Sequence, residues 1–203
     1  MRSPRTTRLA LAALAALTAA ACSDAPQQHS QLAPQTPALS SGVLPVVEQA
    51  IFRKSPLATD LTASLLVGSN GGRLEIPAAG LRVDVPSNAL PRGSAPVLLK
   101  VTAYAGSQLA YDFEPSGTKF VQPLRFQQDL NFLAINPSLL GKQLPSISYF
   151  KSRSDLDATT GTVRTYEDLL TSFDLSGHTV KADIWHFSGY VVAWGRNGNQ
   201  DER

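Results

Sequence analysis

Beyond Asp60 the chain alternates apolar and polar side chains with a period of two. The clearest runs are Arg73-Leu74-Glu75-Ile76 and Leu81-Arg82-Val83-Asp84-Val85, the second with Leu81, Val83 and Val85 on one face. That period marks strands buried on one side. Similar short runs predict strands at 61–67, 97–104, 110–113, 119–126, 146–151, 162–166, 180–185 and 190–194. Turn-forming residues separate them: Asn70-Gly71-Gly72, Pro91-Arg92-Gly93, Pro115-Ser116-Gly117, Thr160-Gly161 and Ser176-Gly177. Many short strands with a turn roughly every ten residues predict an all-β chain, an antiparallel β-sandwich or barrel. Two segments read less simply. Residues 44–59 suit either a short helix or a strand, with Pro56 interrupting both. Residues 166–173 (YEDLLTSF) are the only stretch with a helical pattern.

The first residues follow a different pattern. Arg2, Arg5 and Arg8 precede an unbroken Ala/Leu run from 9 to 17, and Ala19-Ala20-Ala21 then lead to Cys22, the only cysteine. A positive flank, a short apolar stretch and a small-residue exit make a secretory signal peptide over residues 1–21. The run is too short for a spanning helix, which needs about 20 apolar residues. A lone cysteine in an exported chain forms no internal disulfide. Residues 23–42 are rich in Pro, Gln, Ser and Ala, nearly free of charge and aromatic rings, and read as a flexible tether. The expected organisation is therefore a signal over 1–21, a tether over 22–42, and a lead-in segment or first strand over 43–66. The sandwich occupies 67–195, followed by a polar tail over 196–203.

Composition narrows the class further. Hydrophobic residues are 43% of the chain and charged residues 17%, against typical shares of roughly 45–50% and about 25%. This excludes a highly charged disordered chain and leaves enough apolar material for one core. Removing the signal changes the net charge from +2 to −1, so no basic face for nucleic acid is implied.

Two resemblances follow from these residues. The first 22 residues resemble a bacterial lipoprotein signal, although Ala19 stands where the motif usually has Leu. The resemblance implies acyl chains of the palmitate type on Cys22, membrane attachment through that residue and a place in the bacterial cell envelope. Ser23, where Asp would mark retention at the inner membrane in enterobacteria, favours the outer membrane. Several acyl chains anchor stably where a single chain binds marginally.

The second covers roughly 67–194. GSNGGRLEIPAAGLRVDVPSNALPRGSAPVLLKV (68–101) resembles the opening of a ZU5 domain, with Gly71-Gly72, Ile76-Pro77, Gly80, Val85-Pro86, Ala89-Leu90-Pro91 and Gly93 as the matching features. FEPSGTKFVQPLRF (113–126) resembles the family's turn and apolar strand, and His186-Phe187-Ser188-Gly189-Tyr190 its closing strand. The resemblance implies a β-sandwich acting as a non-catalytic structural module or as an interaction module for an envelope protein or glycan. In some animal members the His-Phe-Ser letters mark self-cleavage. By that resemblance Ser188 would attack the Phe187 carbonyl with His186 as base.

The residues themselves supply little other chemistry. His178 and His186 are eight apart without metal-ligand spacing, so neither metal nor cofactor is expected. Asp112 and Glu114 share one face of a predicted strand, where they could flank a sugar or calcium or form a solvated edge. Asp155 and Asp157 lie in a polar loop without the EF-hand order. No phosphate-cradling loop or nucleophile elbow occurs. In a regular strand His186 and Ser188 share a face with Cα atoms roughly 6.5 Å apart. A hydrogen bond between them would then need a kink, which Gly189 could supply. The alternative is that both are satisfied core-facing polar residues, with Trp185, Phe187 and Tyr190 packed around them.

Overall fold

A computed structural model describes residues 44–135, 144–174, 176 and 178–195. The signal, the tether, Cys22 and the tail at 196–203 lie outside the described residues.

The alternating runs form strands at nearly the expected positions. In chain order they are β1 (Val46–Gln49), β2 (Phe52–Leu57), β3 (Leu61–Val67), β4 (Gly72–Ile76), β5 (Leu81–Val85), β6 (Val97–Ala103), β7 (Gly106–Gln108) and β8 (Ala110–Glu114). They continue as β9 (Lys119–Asp129), β10 (Pro145–Phe150), β11 (Leu156–Asp157), β12 (Thr162–Thr165), β13 (Glu167–Leu169), β14 (Thr171–Asp174), β15 (Thr179–His186) and β16 (Gly189–Trp194). No α-helix occurs among the described residues.

Two sheets carry the architecture. One has the order β13-β10-β16-β8-β6-β3 and the other β14-β15-β9-β5-β4, with antiparallel neighbours throughout. Their inner faces share one core: Leu99, Val101, Tyr111, Phe113 and Val192 from the first meet Leu74, Val83, Leu124, Phe126 and Ile184 from the second. Every second residue of β5 (Leu81, Val83, Val85) is buried, as the period-two pattern requires. This is an antiparallel β-sandwich. A three-stranded sheet, β1-β12-β11, adds a second, smaller core. There Ala50 and Val163 pack with Phe150, Val191 and Ala193 of the six-stranded sheet.

The two ambiguous segments are both extended. Residues 44–59 form β1 and β2, and Ile51 between them is buried, its N–H donating to the Val192 carbonyl at 2.8 Å. Pro56 falls in β2, an edge strand with an irregular register, where its missing N–H breaks no interior ladder. β3, also within 43–66 for most of its length, pairs with β6 in the six-stranded sheet. Residues 166–173 form β13 and β14 in different sheets, with Leu170 at the corner, 96% exposed. Tyr166, Leu169, Leu170 and Phe173 stand at helical spacing because two period-two runs meet out of phase at that corner.

Among the turn glycines, Gly71 has the strictest requirement. Its φ is +67°, and a Cβ there would run into the Val85 carbonyl oxygen and the Pro86 backbone.

Candidate functional site

β15 ends at His186 and β16 begins at Gly189, so Phe187 and Ser188 make the corner at which the chain passes from the five-stranded to the six-stranded sheet. The corner is prepared by a register shift. Ile184 pairs with Leu124 and His186 with Lys119, so residues 120–123 of β9 stand opposite Trp185 alone. The alternation changes phase there: Ile184 is buried, Trp185 is 54% exposed, His186 is half-buried and Phe187 is fully buried. Trp185 therefore faces outward, away from the packing role expected for it.

The backbone of the corner is well engaged. The Phe187 N–H donates to the Thr118 carbonyl at 2.9 Å, and its own carbonyl accepts from the Gly117 N–H at 2.9 Å. The Ser188 carbonyl accepts from the Phe113 N–H at 3.1 Å. The Phe187 ring lies between Phe113 and Phe120, with centroids 5.1 and 5.0 Å away. Gly189 does not supply a left-handed kink. Its role is close approach, since a Cβ there would overlap the Phe150 ring.

His186 and Ser188 are not brought together by a hydrogen bond. The imidazole packs edge-on against Tyr149 at 5.4 Å, and its Nδ1 lies 3.4 Å from the Tyr190 hydroxyl. That hydroxyl donates to the His186 carbonyl at 2.7 Å. Burial pushes the imidazole below its ordinary value, against the opposing charge of Glu167, so it is neutral near pH 7. Ser188 is buried.

The other candidate acids are held by local structure. Glu114 forms an ion pair with Lys100 across the β6–β8 ladder. Asp112 is raised above the ordinary carboxylate range, first by burial and then by the Glu114 charge, while the Tyr104 hydroxyl works the other way. Asp157 Oδ1 accepts from the Thr159 and Thr160 N–H groups, and Asp155 Oδ2 from those of Lys151 and Ser152. These acids cap turns, and they do not converge on a cation position among the described residues. His178 precedes β15 and His186 ends it, so the length of the strand separates them.

Two features escaped the pattern of the sequence. Glu48 of β1 is buried against Asp168 of β13, beside the Ser148 and Thr165 hydroxyls. Burial first, and then the Asp168 charge, push Glu48 up to about 7. Ser148 Oγ donates to Asp168 Oδ1 at 2.6 Å. The available signal was parity: Glu48 shares a strand face with Ala50, one of the buried alanines. The second feature is Arg53, 4% exposed, whose Nη1 donates to the Ala79 carbonyl at 3.1 Å and to the Tyr111 hydroxyl at 3.2 Å. Tyr111 in turn meets Gln128 Oε1.

Two surface depressions are small, about 150 Å³ beside Asn88 and Arg92 and about 190 Å³ beside Tyr104 and Arg153. Ligand pockets run roughly 300–1,000 Å³. The outer face of the five-stranded sheet is instead mostly polar. Arg73 and Arg82 both bond Asp84, at 2.7 and 2.9 Å, and Gln127 joins them at 2.7 Å. Lys181 pairs with Asp174 at 3.2 Å.

No family model matches this chain, and no curated protein matches it. The ZU5 resemblance rests on the residues that carry it.

Proposed function

We propose that this protein is a lipid-anchored, non-catalytic ZU5-type module of the bacterial cell envelope, presenting its sheet surfaces to an envelope protein or a glycan. The observation that carries this reading is the corner at 186–188. Where the sequence offers reactive groups, the imidazole is engaged by Tyr149 and Tyr190, and Phe187 is hydrogen-bonded through its own N–H and its own carbonyl. The polar outer sheet face, with Trp185 exposed at one end, suits contact with a protein or with sugar hydroxyls and ring faces. Attachment is through Cys22, with the outer membrane favoured by Ser23. The full chain made in a bacterial host is expected to partition into a detergent phase and Cys22→Ser into the aqueous phase. Partitioning that survives the substitution overturns the anchor.

A second reading keeps the module but cuts it once between Phe187 and Ser188. The Gly117 N–H favours it, since a donor 2.9 Å from the Phe187 carbonyl oxygen would meet the negative charge of a tetrahedral adduct. The Ser188 hydroxyl would add to the Phe187 carbonyl carbon and lose its proton to the neutral His186. The departing Ser188 amine would take that proton, leaving an ester. Water would then hydrolyse the ester to a Phe187 carboxylate and a free Ser188 hydroxyl. Intact mass under denaturing conditions separates the readings. The first expects one mature species, identical in behaviour to Ser188→Ala, whereas two fragments absent from Ser188→Ala establish the second.

A further inference from the structure

A strand at the edge of a sheet leaves a row of backbone N–H and C=O groups unpaired, and natural β proteins blunt such edges with charge, proline, irregularity or shortness. Among the described residues most edges of this protein follow that rule. β4 carries Arg73 and Glu75 and runs into Pro77, and β14 is four residues ending in Asp174. β13 holds Glu167 and Asp168 in three residues, β1 holds Glu48, and β11 is two residues long. β2 carries Arg53, Lys54 and Pro56 with a broken register, and its partner β7 is three residues.

β3 is different. Its seven residues, LTASLLV, include no charge, proline or glycine, and they pair with β6 without interruption from Leu61 opposite Ala103 to Val67 opposite Val97. The apolar residues on its core side, Leu61, Ala63 and Leu65, pack on the core yet remain only half-buried. On the outer side Leu66 is 65% exposed, directly across from Leu98 at 60%. The strand thus leaves apolar side chains uncovered along the same border as its free backbone groups.

We propose that β3 is a dimerisation edge: two copies of this chain pair antiparallel along β3 about a two-fold axis at Ser64, joining their six-stranded sheets into one. Antiparallel pairing of a strand with its own copy is self-complementary, as a two-fold interface requires. An axis on Ser64 sets Leu61 opposite Val67 of the second copy and Ala63 opposite its Leu65. Both cores then lie on the same side of the joined sheet, and the half-buried apolar row of each copy covers that of the other. A slip of one residue would invert the faces. On the outer side Thr62 meets Leu66 of the second copy and Ser64 meets itself, small enough for close approach. A two-fold axis sets a residue on it against its own copy, so a charge at the axis would repel itself, and β3 has none. That lack of charge favours a second copy over a foreign strand, which β3 offers no ion pair to select. The inference rests on this edge alone and is independent of the lipid anchor.

Light scattering of the full chain in mild detergent, over a dilution series from hundreds of micromolar down to micromolar, tests it. Twice the protomer mass is expected at high concentration, falling toward one protomer on dilution. Ser64→Glu sets carboxylates face to face at the axis, and is expected to give one protomer throughout, with a melting midpoint unchanged at the low concentration where the wild type is also one protomer. Ser64→Cys in a Cys22→Ser background gives a second readout. Opposed Cα atoms in an antiparallel pair are roughly 4.5–5.5 Å apart, within disulfide reach, so mild oxidation is expected to link it covalently. Thr102→Cys in the same background, one strand further in on β6, is expected to stay unlinked. A wild-type chain at one protomer mass at every concentration overturns the proposal. So does a dimer that Ser64→Glu leaves intact and Ser64→Cys fails to link.

Discussion

Truncating Phe113 to alanine is expected to cost about 3–5 kcal/mol of stability, the range for deleting a fully buried aromatic ring. Phe113 is at the centre of the sandwich with no exposure, and its ring lies 6.3, 5.1 and 5.6 Å from those of Phe126, Phe187 and Tyr190. Phe126 belongs to the five-stranded sheet, Tyr190 to the six-stranded sheet, and Phe187 to the corner between them. The hole would open where the layers meet, and backbone on both sides limits its collapse. Tilted and edge-on ring pairs add about 0.5–1.5 kcal/mol each beyond burial. At this chain length each kcal/mol lowers the melting midpoint by roughly 2–4 °C, so thermal unfolding should shift by roughly ten degrees. Trp185→Ala removes a larger ring, but one 54% exposed, and is expected to change stability by less than about 1 kcal/mol. Equal losses from the two substitutions would contradict this description of the core.

The second large effect is one of pH. Glu48 titrates near 7 in the folded protein because burial and the Asp168 charge favour its protonated form. A carboxyl whose value is raised by folding holds a proton that the unfolded chain has released. Stability is therefore fully present below the unfolded value near 4.5, falls as pH rises through the interval up to about 7, and levels off above it. The loss is on the order of 3 kcal/mol. Glu48→Gln keeps the size and a hydrogen-bonding amide but removes the titration. His186 acts in the opposite sense, since burial disfavours its charged form and acidification costs stability. The informative quantity is thus the difference between wild type and Glu48→Gln in urea midpoints from pH 5 to 8. The variant is expected to gain on the wild type steadily as pH rises and to be the more stable at pH 8. Parallel curves would show that folding does not raise Glu48.

Much of the sandwich was legible because strand periodicity reports burial directly. Leu81, Val83 and Val85 announce one inward face, and turn residues bound most of the runs. The exceptions have a common cause in tertiary structure. At Leu170 the chain changes sheets, and two alternations out of phase imitate a helical period. At Trp185 the extra residues of β9, ending at Pro123, displace the register by more than a strand-local reading can anticipate. β15 ends at His186, so the regular strand that would have set His186 and Ser188 on one face does not run through the corner. Glu48 and Asp168 lie 120 positions apart in sequence, and only the packing of the small sheet on the large one brings them together. An isolated acid on an alternating strand carries no mark of that partner.

The placement of β16 has a consequence for the corner that precedes it. β16 is hydrogen-bonded to β10 on one side and β8 on the other, and Tyr190, Val191, Val192 and Ala193 are wholly buried. Such a segment is kept in position by the ladders on both flanks, whatever the state of the peptide bond before it. A nicked molecule would elute from a sizing column as an unbroken particle and give the far-ultraviolet spectrum of an uncut one, and only unfolding would release its last strand.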